Sequence, residues 1–172
     1  MGFMDNEIQL LITISTSILT AILAYVAGYY QDKRHVKQDL ARFKSEYKMN
    51  YIMNTYNRIY QESSKLMELV NKLSNIKTEE EYIDIESDFK HQISIVKELV
   101  DTYPVTENVF LRSKLNDFLN ECNSVSTHIM CSFSNQNVRN DSESHRLNAG
   151  GLLNEIRDCL SKSIHNLFKV IN

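Results

Sequence analysis

Residues that break helices are scarce in this sequence, which has four Gly and one Pro among its 172 residues and no Trp. β-Sandwiches, barrels and doubly wound sheets need a turn about every 8 to 12 residues, and this chain has too few turn-forming residues to supply them. Long helices need few turns. Because 42% of the residues are hydrophobic and 24% are charged, a wholly disordered chain is also excluded. The composition therefore predicts an all-α protein.

An excess of charge of one sign is also lacking. The formal net charge of −3 gives no global attraction to nucleic acid, so no specific DNA partner is expected and RNA binding is left open. The sequence contains no glycine-rich phosphate loop, no HExxH and no Cys-x-x-Cys, and we expect no metal and no cofactor. The odd number of cysteines, Cys122, Cys131 and Cys159, favours small buried side chains over disulfides or reactive thiols.

Charge is absent from one long stretch, the 24 positions of 8–31 between Glu7 and Asp32. As a helix this stretch would measure roughly 36 Å, enough to cross a hydrocarbon core of about 30 Å. The alternative is a secretory signal peptide, but the leader before it carries Asp5 and Glu7 and no Lys or Arg. We therefore predict a retained single transmembrane helix over 8–31.

The charges that flank this stretch predict its orientation. No Lys or Arg precedes position 33, whereas six of them lie between Lys33 and Lys48. Basic flanks stay in the cytoplasm, so the sequence predicts a single-pass protein of the inner (cytoplasmic) membrane, with its N-terminus outside and residues 32–172 in the cytosol.

Small and hydroxylated residues recur along the predicted span. Such a stripe lets helix backbones approach closely, and its hydroxyl groups can bond across helices or line a wet pore. The alternative is that each hydroxyl bonds the carbonyl four residues earlier in its own helix. The stripe that we predict to line a pore or to pack helices consists of Thr13, Thr16, Ser17, Thr20, Ala24 and Gly28.

Four amphipathic helices are predicted by the apolar spacing. The first continues from the span along a face that includes Val36, Leu40, Phe43, Tyr47, Ile52, Tyr56, Ile59, Leu66, Val70 and Leu73. The second begins at a Thr78–Glu81 capping box, has Ile83 and Phe89 among its buried positions, and ends before Pro104.

The third helix is predicted to be capped by Thr106 and to bury Val109 and Leu111. A polar stretch over 134–144 interrupts the pattern, and the Gly150-Gly151 pair lies near the start of the last helix as a kink or loop end. These elements predict an up-and-down bundle over 32–172.

One cluster of residues in the polar stretch could carry chemistry, namely Arg139, Asn140 and His145. An imidazole can transfer protons near neutral pH and a guanidinium can hold a phosphate oxygen, a combination suited to metal-independent cleavage of RNA. The alternative is a solvated loop whose histidine has no function. The remaining histidines, His35, His91, His128 and His165, lie on separate helices, and the sequence does not indicate which of them converge.

Arg139, Asn140 and His145 match the Arg–polar–His motif of HEPN domains, and the chain resembles a HEPN-like bundle fused to one membrane helix. In this architecture it is similar to the small membrane accessory proteins encoded beside the RNA-targeting effector of type VI-B CRISPR systems. The resemblance implies a homo-oligomeric ring, such as an octamer, that contacts membrane lipid and strengthens the effector's antiphage interference by permeabilising the membrane. In that family the motif is divergent, so the resemblance leaves nuclease activity uncertain.

Three hypotheses therefore follow from the sequence. The first is a pore-forming antiphage defence accessory. The second is a membrane-tethered HEPN RNase that uses Arg139 and His145. The third is a simple membrane-anchored adaptor that holds a partner at the membrane.

Overall fold

The computed structural model describes residues 3–134 and 138–169, with side chains described over 15–134 and 138–168. Its elements are four helices, α1 (Phe3–Asn75), α2 (Glu79–Val100), α3 (Val109–Ser132) and α4 (Arg139–Lys169). Over those two described ranges no strand occurs. The predictions of an all-α chain and of four helices are confirmed.

The chain divides into two compact units, Met1–Lys48 and Met49–Asn172. In the first unit, α1 has no buried residue among its described side chains. The second unit contains the rest of α1 together with α2, α3 and α4, and it holds the hydrophobic core.

The core of the second unit is made by the apolar faces of the four helices. α1 contributes positions three and four apart, as expected for a helix with one buried face. The buried residues of this face are Ile52, Tyr56, Ile59, Leu66, Val70 and Leu73. From the other helices the largest buried side chains include Phe118, Leu111, Leu115, Ile129 and Ile156.

Two of the predicted core positions are wrong. Ile83 is 61% exposed and Val109 is 79% exposed, whereas Tyr82 and Leu111 are buried. Tyr82 takes the inward position in α2 because its hydroxyl lies 2.9 Å from Ser126 Oγ, which satisfies the polar end of a buried aromatic ring. Val109 is the first residue of α3, where the helix has only begun.

Local side-chain hydrogen bonds determine where α2 and α3 begin. The Thr78–Glu81 capping box is confirmed, with Glu81 N donating to Thr78 Oγ1 at 3.3 Å. The Thr106 cap is wrong, because the cap of α3 is Asn108, whose Oδ1 accepts from Leu111 N at 3.0 Å. Asn108 thereby satisfies one of the backbone N–H groups that have no partner inside the helix.

Much of the polar stretch before the last helix is helical. α4 begins at Arg139, so the prediction of irregular chain fails over 139–144, while 135–137 lie outside the described residues. Gly150 and Gly151 lie inside α4 and so do not form a loop end. Buried Ser142 and Ala149 show that this first half of α4 packs against the bundle, which offsets the low helix propensity of the polar and glycine residues.

Over the residues that the structure describes, no helix has an apolar stretch long enough to cross a membrane. The transmembrane helix over 8–31 remains a prediction, and the side chains of its first part, 8–14, lie outside the described residues.

Candidate functional site

His145 is paired with a carboxylate from the neighbouring helix. Its Nδ1 lies 2.6 Å from Oε2 of Glu121 on α3, and both side chains are partly exposed, at 31% and 26%. An ionised carboxylate only accepts hydrogen bonds, so the imidazole Nδ1 carries the hydrogen and donates it. This arrangement fixes the tautomer and orientation of the ring and leaves Nε2 as the nitrogen that can exchange a proton with a bound molecule.

A second imidazole lies beside the first. The ring centroids of His128 on α3 and His145 on α4 are 4.8 Å apart, with their planes tilted by 33°. His128 Nδ1 lies 2.7 Å from the carbonyl oxygen of Ser124, which can only accept, so this ring also carries its hydrogen on Nδ1. Two oriented imidazoles side by side can supply one proton acceptor and one proton donor, the pair that general acid–base catalysis needs.

Arg139 has different partners. Its Nη2 donates to the carbonyl oxygens of Ser74, at 3.5 Å, and of Ile76, where α1 ends. The last carbonyls of a helix have no partner inside it and carry partial negative charge, so a guanidinium there satisfies and stabilises the helix end. The structure thus places Arg139 against the end of α1 and His145 against α3, while Asn140 is exposed.

The acidic residue Glu143, inside the predicted motif, is itself in an ion pair. Arg146 donates to both Glu143 carboxylate oxygens, from Nε at 2.8 Å and from Nη2 at 2.5 Å. This bidentate contact lowers the pKa of Glu143 below its ordinary value. The third donor of Arg146, Nη1, reaches Asn71 Oδ1 on α1 at 3.1 Å, so Arg146 holds α4 to α1.

Metal ligation is not suggested by the arrangement of acids, histidines and cysteines. Among the residues with described placement, no three such side chains converge as a metal site would require. Cys122 is buried and its burial raises the pKa of its thiol, so it stays protonated and acts as a small core side chain. Cys131 is exposed and Cys159 is partly buried.

The small-residue stripe lies in the first unit of the chain. Thr16, Ser17, Thr20, Ala24 and Gly28 are all exposed there, and the side chain of Thr13 lies outside the described residues. The Thr20 hydroxyl donates to the Thr16 carbonyl at 2.8 Å, which is the own-helix bond that the sequence left as an alternative. A Cβ at Gly28 would meet nothing within 4 Å, so packing within the chain does not require glycine there.

The sequence indicated only part of this site. His145 was predicted from the sequence as a site residue, whereas Glu121 and His128 were not. These two lie seven residues apart on α3 and so share one face of the helix, a signal present in the sequence. The seven-residue spacing does not indicate which other helix packs against this face of α3. No family model, no curated protein and no solved structure matches this chain.

Proposed function

We propose that this chain is a membrane-embedded protein whose copies assemble through the N-terminal segment and permeabilise the membrane. The observation that carries the proposal is the uncharged stretch 8–31, whose described residues, 15–31, are all exposed on their own chain. Large apolar side chains such as Ile18, Leu19 and Leu23 are more than half exposed there. An exposed apolar patch of this extent marks a surface that meets lipid or another protein.

The length and flanks of the stretch support a membrane location. Its 24 residues would extend over roughly 36 Å as a helix, and the proposed span includes 8–14, whose side chains are not described. The basic residues that follow Asp32 support a location of residues 32–172 on the cytoplasmic side of the inner membrane, as the positive-inside rule describes.

The stripe supports association of the proposed spans. A helix that carries Thr16, Thr20, Ala24 and Gly28 at four-residue intervals can approach a second helix closely. The space around Gly28 is available for such a neighbour. The Thr20 hydroxyl is already bonded within its own helix, so the pore proposal rests on close packing of copies more than on that hydroxyl facing water.

The biological setting of the proposal comes from the family resemblance alone. The resemblance to the small membrane accessory proteins of type VI-B CRISPR systems implies a ring, such as an octamer, that enhances RNA-guided interference against phage. We carry this role to the chain as part of the proposal, with a functional link to an RNA-targeting effector.

A second candidate function is favoured by the imidazole pair. Glu121 orients His145, and His128 lies beside it, so the site has the proton-transfer groups of a nuclease that needs no metal. Nη2 of Arg139 is bonded to the backbone at the end of α1, so Nη2 could meet a phosphate only if those bonds broke.

Dye entry into cells that express the full chain tests the two candidates together. We expect the variant T16L/T20L/A24L/G28L to remain in the membrane fraction and to lose dye entry, because bulky side chains block close approach of the helices. The matched control I18L/L23I changes the same segment outside the stripe and should retain dye entry. His145→Ala should also retain it, because the proposed pore does not use the imidazole.

Other results distinguish the candidates. Unchanged dye entry in the stripe variant would contradict the pore. If expression of the full chain arrests growth and His145→Ala relieves the arrest, with the membrane intact and assembly unaltered, the nuclease is favoured. If an unrelated single-span anchor replaced 8–31 with full antiphage activity, the chain would be an anchored adaptor.

A further inference from the structure

A regular apolar seam continues along α1 outside the bundle. The residues Val36, Leu40, Phe43 and Tyr47 are spaced by four, three and four, which is the alternation of positions d and a in a heptad repeat. They are exposed by 67%, 52%, 65% and 68%, so no described part of their own chain covers them. A row of large apolar side chains repeated in this way buries itself against a second helix.

The same register extends toward the N-terminus. It places Leu19 and Val26 at a positions and Ile22 and Tyr29 at d positions, on the side of α1 opposite the stripe residues Thr20, Ala24 and Gly28. The seam is therefore limited to 32–47, C-terminal to the proposed span. The register ends at Asn50, Asn54 and Asn57, which occupy the following d, a and d positions and are exposed.

The charges beside the seam are sorted by sign. In this register the g positions are Asp32, Asp39 and Glu46, all acidic, and the e positions between them are Lys37 and Lys44, both basic. All five residues are exposed. In a coiled coil the e and g residues of neighbouring helices face each other and decide partner and orientation.

We infer that this seam, from Asp32 to Tyr47, binds a second copy of the same chain as a parallel coiled coil. In a parallel pair each g residue meets the e residue five positions later in the partner, so Asp32 meets Lys37 of the next copy and Asp39 meets Lys44 of the next copy. An antiparallel pair would set acid against acid and lysine against lysine. The e and g charges of one copy are therefore complementary to those of a second copy only when the two helices run parallel.

One feature refines the register. Lys33 occupies an a position, with its Nζ 6.0 Å from the centre of its own Tyr29 ring, and a lysine at a single a position sets the register at a cost in stability. The seam deepens the proposed function, because copies inserted in one membrane with the same orientation are already parallel.

Charge reversal in the full chain, extracted in detergent and measured by light scattering with the detergent mass subtracted, tests the seam. We expect the wild type to be an oligomer and the variants K37E/K44E and D32K/D39K each to fall to monomers, because e and g then repel. Mixing the two variants should restore the oligomer. The control R34E/K48E reverses two charges at b positions, away from the seam, and should keep the wild-type mass.

Disulfide trapping tests the orientation. In a Cys131→Ser background, Leu40→Cys lies at an a position that meets its own copy in a parallel coiled coil, and it should form disulfide-linked dimers under oxidation. Arg42→Cys, at the outward c position, should not. Linkage through Arg42→Cys and none through Leu40→Cys would contradict the parallel seam.

The outcomes separate the seam from the proposed function. A monomeric wild type, an unchanged mass for K37E/K44E, or failure of the mixture to assemble would each overturn the seam. If K37E/K44E kept its oligomer and the wild type admitted dye, the proposed function would stand without the seam. If the light-scattering results were as expected but no dye entered cells that express the chain, the coiled-coil seam would be supported and the pore would be contradicted.

Discussion

At the scale of single residues, Gln92 and Glu62 form a polar contact inside the bundle. Gln92 is 8% exposed, and its Nε2 donates to the backbone oxygen of Glu62 at 2.9 Å and to its Oε2 at 2.8 Å. Lys65 Nζ lies 3.0 Å from the other carboxylate oxygen of Glu62. The hydrogen bond from Gln92, and then that from Lys65, lower the pKa of Glu62 below its ordinary value of 4.5.

The stability of the bundle should therefore depend on the charge of Glu62. A carboxyl whose pKa is lowered by folding stabilises the native state above its unfolded pKa, and this contribution is lost as the pH falls through the folded pKa. We expect Glu62→Gln to lower the free energy of unfolding by about 1 kcal/mol at neutral pH and by much less below its folded pKa.

Urea denaturation over a descending pH series that starts at pH 7 measures this difference. Glu98→Gln, which removes an exposed carboxylate from α2, is the matched control and should change little over the series. A loss of stability for Glu62→Gln that stays constant as the pH falls would show that the carboxylate charge is not what stabilises the contact.

The partners of Arg139 and His145 also belong to the residue scale. Their chemistry was predictable from the residue types, because guanidinium and imidazole have the same donors and acceptors in any fold. Their hydrogen-bond partners were not predictable from the sequence. Ile76, which Arg139 binds, is 63 residues away, and Glu121, which His145 binds, is 24 residues away, so no local spacing specifies these contacts.

At the scale of secondary-structure elements, the start of α3 shows how two nearby caps compete. Thr106 and Asn108 are both common capping residues, and both precede the apolar run of α3. Asn108 caps the helix because its side chain also meets α4, with Nδ2 3.5 Å from Ser163 Oγ. The tertiary contact thus decides between two local signals.

Substitution of each candidate cap should separate them. We expect Asn108→Ala to destabilise the protein by about 1–2 kcal/mol, because Leu111 N loses its acceptor and the contact to Ser163 disappears. Thr106→Ala should change stability by less than about 0.5 kcal/mol, since Thr106 is exposed. Thermal unfolding followed by circular dichroism measures both, and a larger loss for Thr106→Ala would contradict the assigned cap.

At the scale of the whole molecule, the buried apolar side chains lie in one of the two compact units. Among the described residues, the first buried apolar side chain along the chain is Ile52, and the others follow it. The exposed apolar residues of 15–48 contribute nothing to that core. We therefore expect a chain of residues 49–172 to fold by itself, because it keeps the entire described core.

Circular dichroism and light scattering of this 49–172 chain check the expectation. It should be strongly helical, unfold cooperatively and remain monomeric, since it lacks both the uncharged segment and the coiled-coil seam. A non-cooperative transition would show that 1–48 stabilises the bundle. A stable oligomer would place self-association in the bundle rather than in the first unit.

The sequence alone determined the number of helices, the Thr78–Glu81 capping box and the uncharged stretch 8–31. The helices and the cap depend on residues within about four positions of one another, which is the range of helix hydrogen bonds and caps, and the uncharged stretch is a matter of composition. The predictions of pore, ring and membrane span rest on the same local patterns and on the resemblance, and the experiments above test them.

Only the tertiary structure decided which histidine meets His145, where Arg139 binds and where α4 begins. It also showed that the apolar residues of α1 are buried in the bundle at Ile52 and beyond, whereas those over 36–47, on another face, are exposed. Spacing along a helix defines an apolar face but not what packs against it. The partner of each face is set by how the helices of the bundle fill one common core, and that choice depends on residues far apart in the chain.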